Sequence, residues 1–355
     1  MNMAKHNLLI LSPYLKLSEG ESSLVTSLKG SWGVNEIYCY RGRGRHFMAK
    51  YISLILELFK FLIGLLYYKN SKILINTSLD KATYSRDNMF CFWAILFRKD
   101  VYIFMQGWDV DYFESIKNDF YKSSFYLSKK IFVLSQSFKN SLKATGYLGR
   151  DIIVEHTVVE EKFSDEFKNF QKDFDDRPIQ ILFLARIEEA MGVFTVLDSF
   201  KELVKEHPNL VLNIAGTGPG TDSVKKWIEK NSDLPIYFHG GVEGMKKVDI
   251  FKNAHIYVLP AKHLESMPVG VLEAICAGCV VFVAPSGGLM DFFKYKGMGF
   301  LLNGPSQQEL TKKINMALKN LDSLKNIATN NLKKGQMLYT ASSLINRIES
   351  NILNE

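Results

Sequence analysis

The sequence predicts an α/β protein with two parallel β-sheets, each covered by helices on both faces. Short runs rich in valine, isoleucine and aromatic residues recur along the chain, and stretches with helical length and apolar spacing separate them. Alternation of this kind is typical of doubly wound parallel sheets. A chain of 355 residues is also too long for one ordinary core, so two domains are expected.

The predicted strands fall into two series with a polar segment between them. The first series lies near 7–12, 36–40, 72–76, 101–105 and 131–135, and the second near 179–185, 210–215, 235–239, 255–259 and 279–284. Residues 160–177 have little apolar periodicity and are interpreted as a linker. We predict domains over 1–160 and 178–335 and a C-terminal helix over 336–355 that packs back toward the first domain. Ligands of open parallel sheets bind beyond the carboxyl ends of strands, so the domains are expected to face each other across a cleft.

The two halves of the chain differ in charge. Residues 1–150 carry 21 basic and 11 acidic residues, or +10, and the remainder carries 23 and 26, or −3. This asymmetry predicts that the first half meets an anionic partner, either phosphate, nucleic acid or an acidic membrane surface. Four cysteines and the lack of a secretory signal indicate the cytoplasm.

The stretch 48–68 is apolar and almost long enough to cross a bilayer. Glu57 and Lys60 interrupt it near the middle, where charges are unfavourable in lipid, so spanning is not expected. A buried helix of the first sheet is favoured over a membrane-surface helix. The preceding loop, residues 41–46, contains three arginines. It is either a solvated loop or a site for anionic headgroups or a lipid diphosphate.

Two carboxylates stand eight residues apart where a predicted strand gives way to a helix. Glu265 and Glu273 would be separated by roughly 12 Å along a helix, comparable to the distance from a nucleotide's ribose to a sugar on its far phosphate. Carboxylates accept hydrogen bonds from sugar hydroxyls. Pro268 suits the first turn of the helix, whose free N–H groups would face the phosphates. The segment therefore predicts a sugar-nucleotide site.

Two further motifs favour a phosphate-bearing ligand in the second half. Arg186 ends the first strand of the second sheet, and a bidentate grip on phosphate contributes about 1.5–3 kcal/mol per bond. The glycine turn with Gly216 and Gly218 superficially matches a dinucleotide-binding turn. It follows the second strand of its sheet, however, and no acid closes the next strand. A phosphate- or base-facing turn is the interpretation that fits.

A metal site is the weaker interpretation of an acidic pair in the first half. Asp109 and Asp111 follow a predicted strand, as a metal-binding pair would, but Asp109 is also placed to cap the helix that continues through Tyr112. Nothing else in the sequence supports a cation site. No metal and no other cofactor is therefore expected.

Together these motifs resemble the family 4 retaining glycosyltransferases, which have the GT-B fold of two Rossmann-like domains. In the second half the resemblance is specific and rests on Arg186, Gly192 and segments 216–219, 238–240, 265–273 and 286–288. In the first half it is looser and rests on segments 75–78, 86–87, 107–109 and 133–135.

The resemblance implies transfer of a sugar, with retention and without an obligatory metal, from a UDP- or GDP-linked donor to a lipid-linked glycan acceptor. The product would belong to a lipopolysaccharide, an O-antigen or a capsule. Arg186 and Glu265 would be catalytic. The donor-binding residues would be Glu273, Gly216, Gly218, Gly240, Lys262, Met267, Pro268, Val269, Gly287 and Gly288. The residues of the acceptor side would be Arg86, Gln106, Gly107 and Asp109.

We expect such an enzyme to lie on the cytoplasmic face of the membrane and to bind no nucleic acid. Two positions depart from the family pattern. Met191 stands where a lysine usually shares the diphosphate charge, and Gln106 stands where a histidine is frequent. Lys262 is the candidate to compensate for Met191. Two alternatives stay open: a nucleotide-sugar epimerase on the same frame, and a catalytically weak subunit that binds a nucleotide sugar or lipid.

Overall fold

The protein consists of two compact units. The computed structural model describes residues 7–13, 28–29, 32–41, 47–147, 151–175, 178–262, 268–285, 289, 293 and 297–353. Unit 1 comprises Met1–Thr157 and Ala341–Glu355, and unit 2 comprises Val158–Thr340. Each unit holds a six-stranded parallel sheet. The prediction of two doubly wound, Rossmann-like α/β sheets is confirmed.

Each sheet has one strand more than the sequence predicts. The strands are β1 Asn7–Pro13, β2 Asn35–Arg41, β3 Ser71–Leu79, β4 Val101–Trp108, β5 Lys130–Val133, β6 Asp151–Val154, β7 Ile179–Leu184, β8 Leu210–Ala215, β9 Ile236–Gly240, β10 Ile256–Leu259, β11 Val280–Val283 and β12 Gly299–Leu301. The extra strands, β6 and β12, have four and three residues and lie at sheet edges. Only one of their seven residues is buried, so they lack the continuous apolar run that marks the equally short but fully buried β5, β10 and β11.

The helices fill the connections between the strands. The α-helices are α1 Phe47–Tyr67, α2 Lys81–Leu96, α3 Val110–Ile116, α4 Gln136–Ala144, α5 Glu161–Asp165, α6 Val193–Glu206, α7 Thr221–Lys230, α8 Gly244–Asn253, α9 Val269–Cys276, α10 Gln307–Leu318, α11 Leu321–Leu338 and α12 Ala341–Leu353. Several begin at a side chain that accepts a hydrogen bond from a first-turn N–H group. These capping residues are Asp80, Asp109, Ser135, Ser306 and Asn320.

The strand order fixes where a ligand site is expected in each unit. The sheet of unit 1 runs β2-β1-β3-β4-β5-β6, and that of unit 2 runs β12-β11-β10-β7-β8-β9. The order reverses between β1 and β3 in the first and between β7 and β10 in the second. The loops that leave such neighbouring strands on opposite faces open a crevice at the carboxyl edge of the sheet.

Helix α1 differs from the fully buried helix that the sequence favours. Phe61 and Leu65 are buried in the core of unit 1, where the ring centroids of Phe61 and Phe90 are 5.3 Å apart. The opposite side is apolar and exposed, with Phe59 61% and Ile63 62% exposed. The interpretation as a buried helix is therefore wrong for half of its circumference. Within the described residues, no helix has both the length and the apolar content to cross a membrane.

The segment interpreted as a linker is largely part of unit 2. Phe163, Phe167 and Phe174 are buried in its core, and Phe174 makes an edge contact with His255. Lys172 is half-buried, and its ammonium donates to the carbonyls of Phe251 and Lys252 in the last turn of α8. The high charge of this stretch conceals aromatic residues at helix-like spacing, so the sequence reading underestimated its packing.

The last helix, α12, packs within unit 1. Its apolar residues, including Leu344 and Ile348, are buried. The guanidinium of Arg347 pairs with the buried carboxylate of Glu155 at 2.9 Å. Lys130 donates to a carbonyl of the last turn at 3.1 Å, which suits the negative end of the helix dipole.

Candidate active site

The loops that follow β7 and β10 meet at the strand-order reversal of unit 2. The backbone N–H of Lys262 donates to the carbonyl of Ala190 at 2.8 Å. Gly192 has φ +82°, and a Cβ at that position would lie 2.4 Å from the carbonyl oxygen of Pro260. No side chain fits there, so the glycine allows the two loops to approach each other directly.

Two cations stand on these loops. Arg186 is the second residue after β7, its side chain is 66% exposed, and its Nε lies 3.4 Å from the carboxylate of Glu188. The ammonium of Lys262 pairs with the exposed carboxylate of Glu189 at 2.8 Å. Both pairs are at the surface, where an ion pair contributes about 0–1 kcal/mol, so an incoming anion can compete for either cation at low cost.

The glycine turn after β8 packs against the loop after β7. A Cβ on Gly216 would lie 1.9 Å from the carbonyl oxygen of Ala185, and one on Gly218 would lie 2.4 Å from that of Ile187. Gly216 also donates to the carbonyl of Gly240 at 2.7 Å, which joins the end of β9 to the same edge. The backbone contacts by themselves account for the first two glycines, whatever ligand the turn faces.

Helix α9 begins at this edge. Pro268 is its N-cap residue and Val269, which is 42% exposed, is its first residue. The next position, Gly270, lies against the buried hydroxyl of Tyr257, where a Cβ would come within 2.8 Å. That hydroxyl donates to the carbonyl of Leu184 at 2.8 Å. The start of α9 is thereby fixed beside the end of β7, with its first N–H groups at the carboxyl edge of the sheet.

Glu273 lies deeper in α9 and is 4% exposed. Its carboxylate forms an ion pair with the ammonium of Lys247, on α8. The same ammonium lies 5.6 Å from the ring centroid of Phe163. Burial raises the pKa of Glu273, and the charge of Lys247 opposes that rise. The lysine therefore helps to keep a buried carboxylate ionised and able to accept hydrogen bonds.

A family profile covers most of unit 2. The family described as Glycosyl transferases group 1 matches residues 164–334. These residues form a group 1 glycosyltransferase domain. An uncharacterised glycosyltransferase of Methanocaldococcus jannaschii is 24% identical over 208 residues, which are 58% of this chain and 50% of that protein. The curated relatives are thus matched over half of their length or less.

Solved structures share the fold of both units, including the group 1 domain in unit 2. The Anabaena protein HepE in complex with UDP has a TM-score of 0.70 at 12% identity, with 98% of this chain and 100% of that chain covered. The lipopolysaccharide outer core galactosyltransferase WaaB has a TM-score of 0.65 at 12% identity, with 98% and 99% covered. The fold that these structures share with this chain is the GT-B fold.

Not every predicted site residue of the group 1 domain can be placed. Glu265, Met267, Gly287 and Gly288 lie outside the described residues. Met191, the departure from the family pattern, is partly buried and packs against the core of the domain. The remaining donor-side residues, apart from the buried Glu273, lie at or beside the carboxyl edge of the sheet of unit 2.

The predicted acceptor-side residues belong to unit 1 and lie at or after the carboxyl ends of its strands β3 and β4. Gln106 and Gly107 lie in the last three residues of β4, and the ladder between β3 and β4 shifts register at Thr77 and Ser78, next to them. Neither amide atom of Gln106 has a hydrogen-bond partner among the described residues, although both are shielded from solvent. A shielded amide without partners is unfavourable by about 1–3 kcal/mol, so a ligand or water that pairs with it gains that amount.

Arg86 and Asp109 have structural partners within unit 1. Arg86 donates through Nε to the buried carboxylate of Asp87 at 3.0 Å, and Thr77 donates to the same carboxylate at 2.5 Å. Asp109 accepts from the N–H of Tyr112 at 3.0 Å, as the capping interpretation predicts. The described residues contain no group of three or more histidine, cysteine, aspartate or glutamate side chains arranged to hold a metal ion.

Lys247 is the site residue that the sequence analysis missed. It stands in the first turns of the helix after the Phe238–Gly240 strand end, 26 residues before Glu273. Its partner is adjacent only in the folded domain, so spacing alone could not pair the two. The available signal was that a glutamate inside an otherwise apolar helix requires a cation from another element.

Proposed function

We propose that this protein transfers a sugar from a nucleoside diphosphate sugar, with UDP as the nucleotide, to a glycan acceptor. The observation that carries the proposal is the convergence of Arg186, Lys262 and the start of α9 at the strand-order reversal of the group 1 domain. Cations and free helix N–H groups at such a crevice bind a diphosphate. The likeness to HepE, which was solved with UDP, favours uridine as the base.

The proposed roles follow from the charge that develops during transfer. The bond from the anomeric carbon to the diphosphate oxygen breaks, and a bond from an acceptor hydroxyl oxygen to that carbon forms with retained configuration. Negative charge grows on the departing diphosphate, where Arg186 and Lys262 would stabilise it. The hydroxyl proton needs a base, and a diphosphate oxygen is one that the reaction itself supplies. Glu265 would bind the donor sugar's hydroxyls, and Glu273 the ribose.

The proposed acceptor is a lipid-linked glycan of a surface polysaccharide. The +10 charge of residues 1–150 favours a first unit that meets an anionic surface or a lipid diphosphate. The likeness to WaaB, a lipopolysaccharide galactosyltransferase, points the same way. The protein would then lie on the cytoplasmic face of the membrane, and its transfer reaction would require no metal.

A binding subunit is the second candidate, and Met191 is the observation that favours it. A thioether packed against the core cannot share the charge of a diphosphate as an ammonium does. Such a subunit would bind the nucleotide sugar without turning it over. An epimerase, the third possibility, would release isomerised sugar without any acceptor.

The first test is nucleotide binding by thermal shift with UDP, GDP and ADP. A ligand that binds only the folded state raises the melting temperature. We expect UDP to give the largest rise and Arg186→Ala to remove most of it. Lys230→Ala is the matched control, because Lys230 is an exposed cation at the far end of α7. Equal shifts in both variants would refute the role of Arg186.

The second test is transfer itself, with a panel of UDP-sugars and a membrane lipid extract, with and without a chelator. We expect a lengthened lipid-linked glycan that needs no divalent cation and disappears in Glu265→Ala. Glu243→Ala is the control, because Glu243 is an exposed acid before α8. Full transfer by Glu265→Ala would show that the assigned role is wrong, and isomerised sugar without glycan would favour the epimerase.

A further inference from the structure

Helix α1 carries an exposed apolar face. Six of its residues are each more than half exposed, at 55–62%. At about 100° per residue, all six fall within an arc of roughly 100°. The residues of this apolar face are Ile52, Ile55, Leu56, Phe59, Ile63 and Leu66.

Helix α1 is firmly packed, so loose attachment does not explain the exposure of this face. On the opposite side Phe61 and Leu65 are 0% and 2% exposed in the core of unit 1. Gly64 lies against Leu9 of β1, to which a Cβ would come within 3.7 Å. Lys99 donates to the carbonyl oxygens of Tyr68 and Lys69, just past the end of the helix. The sheet therefore fixes which side of α1 points outward.

Helix α7, another surface helix of the same chain, has a polar outer face. Helix α7 exposes Asp222, Lys225 and Glu229 while burying Val224. That is the usual pattern for a helix with one side in water. A contiguous apolar face of this size on a water-exposed surface marks a contact with a partner or a membrane.

The surroundings of the apolar face favour an anionic bilayer as the partner. Lys60 is exposed at one border of the face, and Arg98 is exposed just beyond the end of α2, which packs beside α1. Helix α2 itself exposes Phe92 and Leu96, at 52% and 57%. The acid of α1, Glu57, lies outside the arc and accepts from the hydroxyl of Ser53 at 2.7 Å. A helix that docks on another helix is typically bordered by charges of both signs, whereas headgroups of anionic lipids select cations.

We infer that the apolar face of α1 inserts into the interfacial region of an anionic bilayer, with Lys60 and Arg98 at the level of the headgroups. Burial of one helix face to the headgroup boundary is the mode of interfacial helices that do not span the membrane. The inference rests on the proposed function in one respect: a lipid-linked acceptor would be met at that surface. It adds a hydrophobic contact to the electrostatic attraction of the first unit.

Flotation with vesicles tests the inference on the full chain without any sugar nucleotide. Vesicles of phosphatidylglycerol and phosphatidylethanolamine are compared with vesicles of phosphatidylcholine alone, at low and at high salt. We expect binding to the anionic vesicles that persists in part at high salt, because apolar burial is not screened. Phe59→Ser with Ile63→Ser should lower the partition coefficient at least tenfold, or about 1.4 kcal/mol.

The control is Met316→Ser with Met337→Ser, two side chains of unit 2 that are 60% and 62% exposed. It should bind vesicles as the unchanged chain does. A second variant, Ile55→Glu, places a negative charge within the face and should give a loss of the same size, so the inference stays testable if the serine variant does not fold. Melting temperatures and the UDP-induced shift establish that each variant is folded.

Three results would overturn the inference. The first is that the unchanged chain floats with neither kind of vesicle. The second is that the face variants bind as well as the control. The third is that the unchanged chain is a dimer in solution that the face variants convert to a monomer. The last result would assign the face to a second copy of the chain. Loss of vesicle binding with an intact UDP shift leaves the proposed function standing, and a missing UDP shift leaves the vesicle result unaffected.

Discussion

Replacing Lys247 by methionine should leave the carboxylate of Glu273 buried without its cation. Removing one partner of a fully buried pair costs about 3–5 kcal/mol. The side chain of Lys247 is 26% exposed, so water can replace part of the lost interaction. We expect a loss of about 2 kcal/mol, within the range for a hydrogen bond to a charged group. For a unit of this size that loss lowers the melting temperature by about 4–8 °C.

The pH dependence of this loss has a definite sign. Burial raises the pKa of Glu273 in the folded chain above its unfolded value, and Lys247 opposes the rise. Without the lysine, the folded-state pKa rises further. An acid with a raised folded pKa destabilises the fold at higher pH, and the penalty disappears as the pH falls to the unfolded value of about 4.3. The difference between Lys247→Met and the unchanged chain should therefore be largest at neutral pH and shrink toward pH 4.

Chemical unfolding of four proteins measures the coupling. The set is the unchanged chain, Lys247→Met, Glu273→Gln and the double variant. A neutral glutamine needs no cation, so the double variant should recover most of the stability that Lys247→Met loses, with a coupling of about 2 kcal/mol. Lys246→Met, next to it on α8, is the surface control and should stay within about 0.5 kcal/mol.

The same variants separate a positioning role from a purely structural one. If ionised Glu273 accepts the ribose hydroxyls, Lys247→Met should weaken UDP binding roughly tenfold at neutral pH, and Lys247→Arg should restore it. Additive effects in the four-protein set, or a stability difference that does not change with pH, would refute the reasoning about the pair.

Three further predictions concern single positions. Gln106→Met should raise the free energy of unfolding by about 1 kcal/mol, because it removes shielded amide atoms without partners, and it should lower acceptor-dependent transfer; urea unfolding and a transfer assay measure the two effects. Met191→Lys should tighten UDP binding severalfold by calorimetry if a missing charge limits the site, while Met191→Leu should not. Gly192→Ala should cost at least about 2 kcal/mol more than Gly146→Ala, since both have positive φ but only Gly192 abuts the Pro260 carbonyl; equal costs would contradict this.

The sequence predicted the sheets well because buried parallel strands are continuous apolar runs. Ten of the 12 strands in the described residues were located in this way, and the two that were missed are edge strands that are only partly buried. The segment 160–177 was mistaken for a linker because its charged residues outnumber the phenylalanines that pack into the core of unit 2. Helix α1 was misjudged because apolar content cannot tell a helix with two buried sides from one with an exposed apolar side.

The candidate site could be predicted only where a motif lies on one continuous segment. Arg186, the glycine turn and the start of α9 each follow a strand, and parallel strands deliver their carboxyl ends to one edge. The pairing of Lys247 with Glu273 joins two helices and needs the folded domain. The close packing of Gly218 on Ile187 is likewise a backbone contact between loops, which a phosphate-binding motif does not reveal.

The membership of α12 in unit 1 has a consequence for synthesis of the chain. Unit 1 is built from two stretches, Met1–Thr157 and Ala341–Glu355, so it cannot be completed until α12 has been synthesised, whereas unit 2 is continuous and can fold earlier. A stop codon shortly before residue 341 would therefore damage unit 1 and spare unit 2.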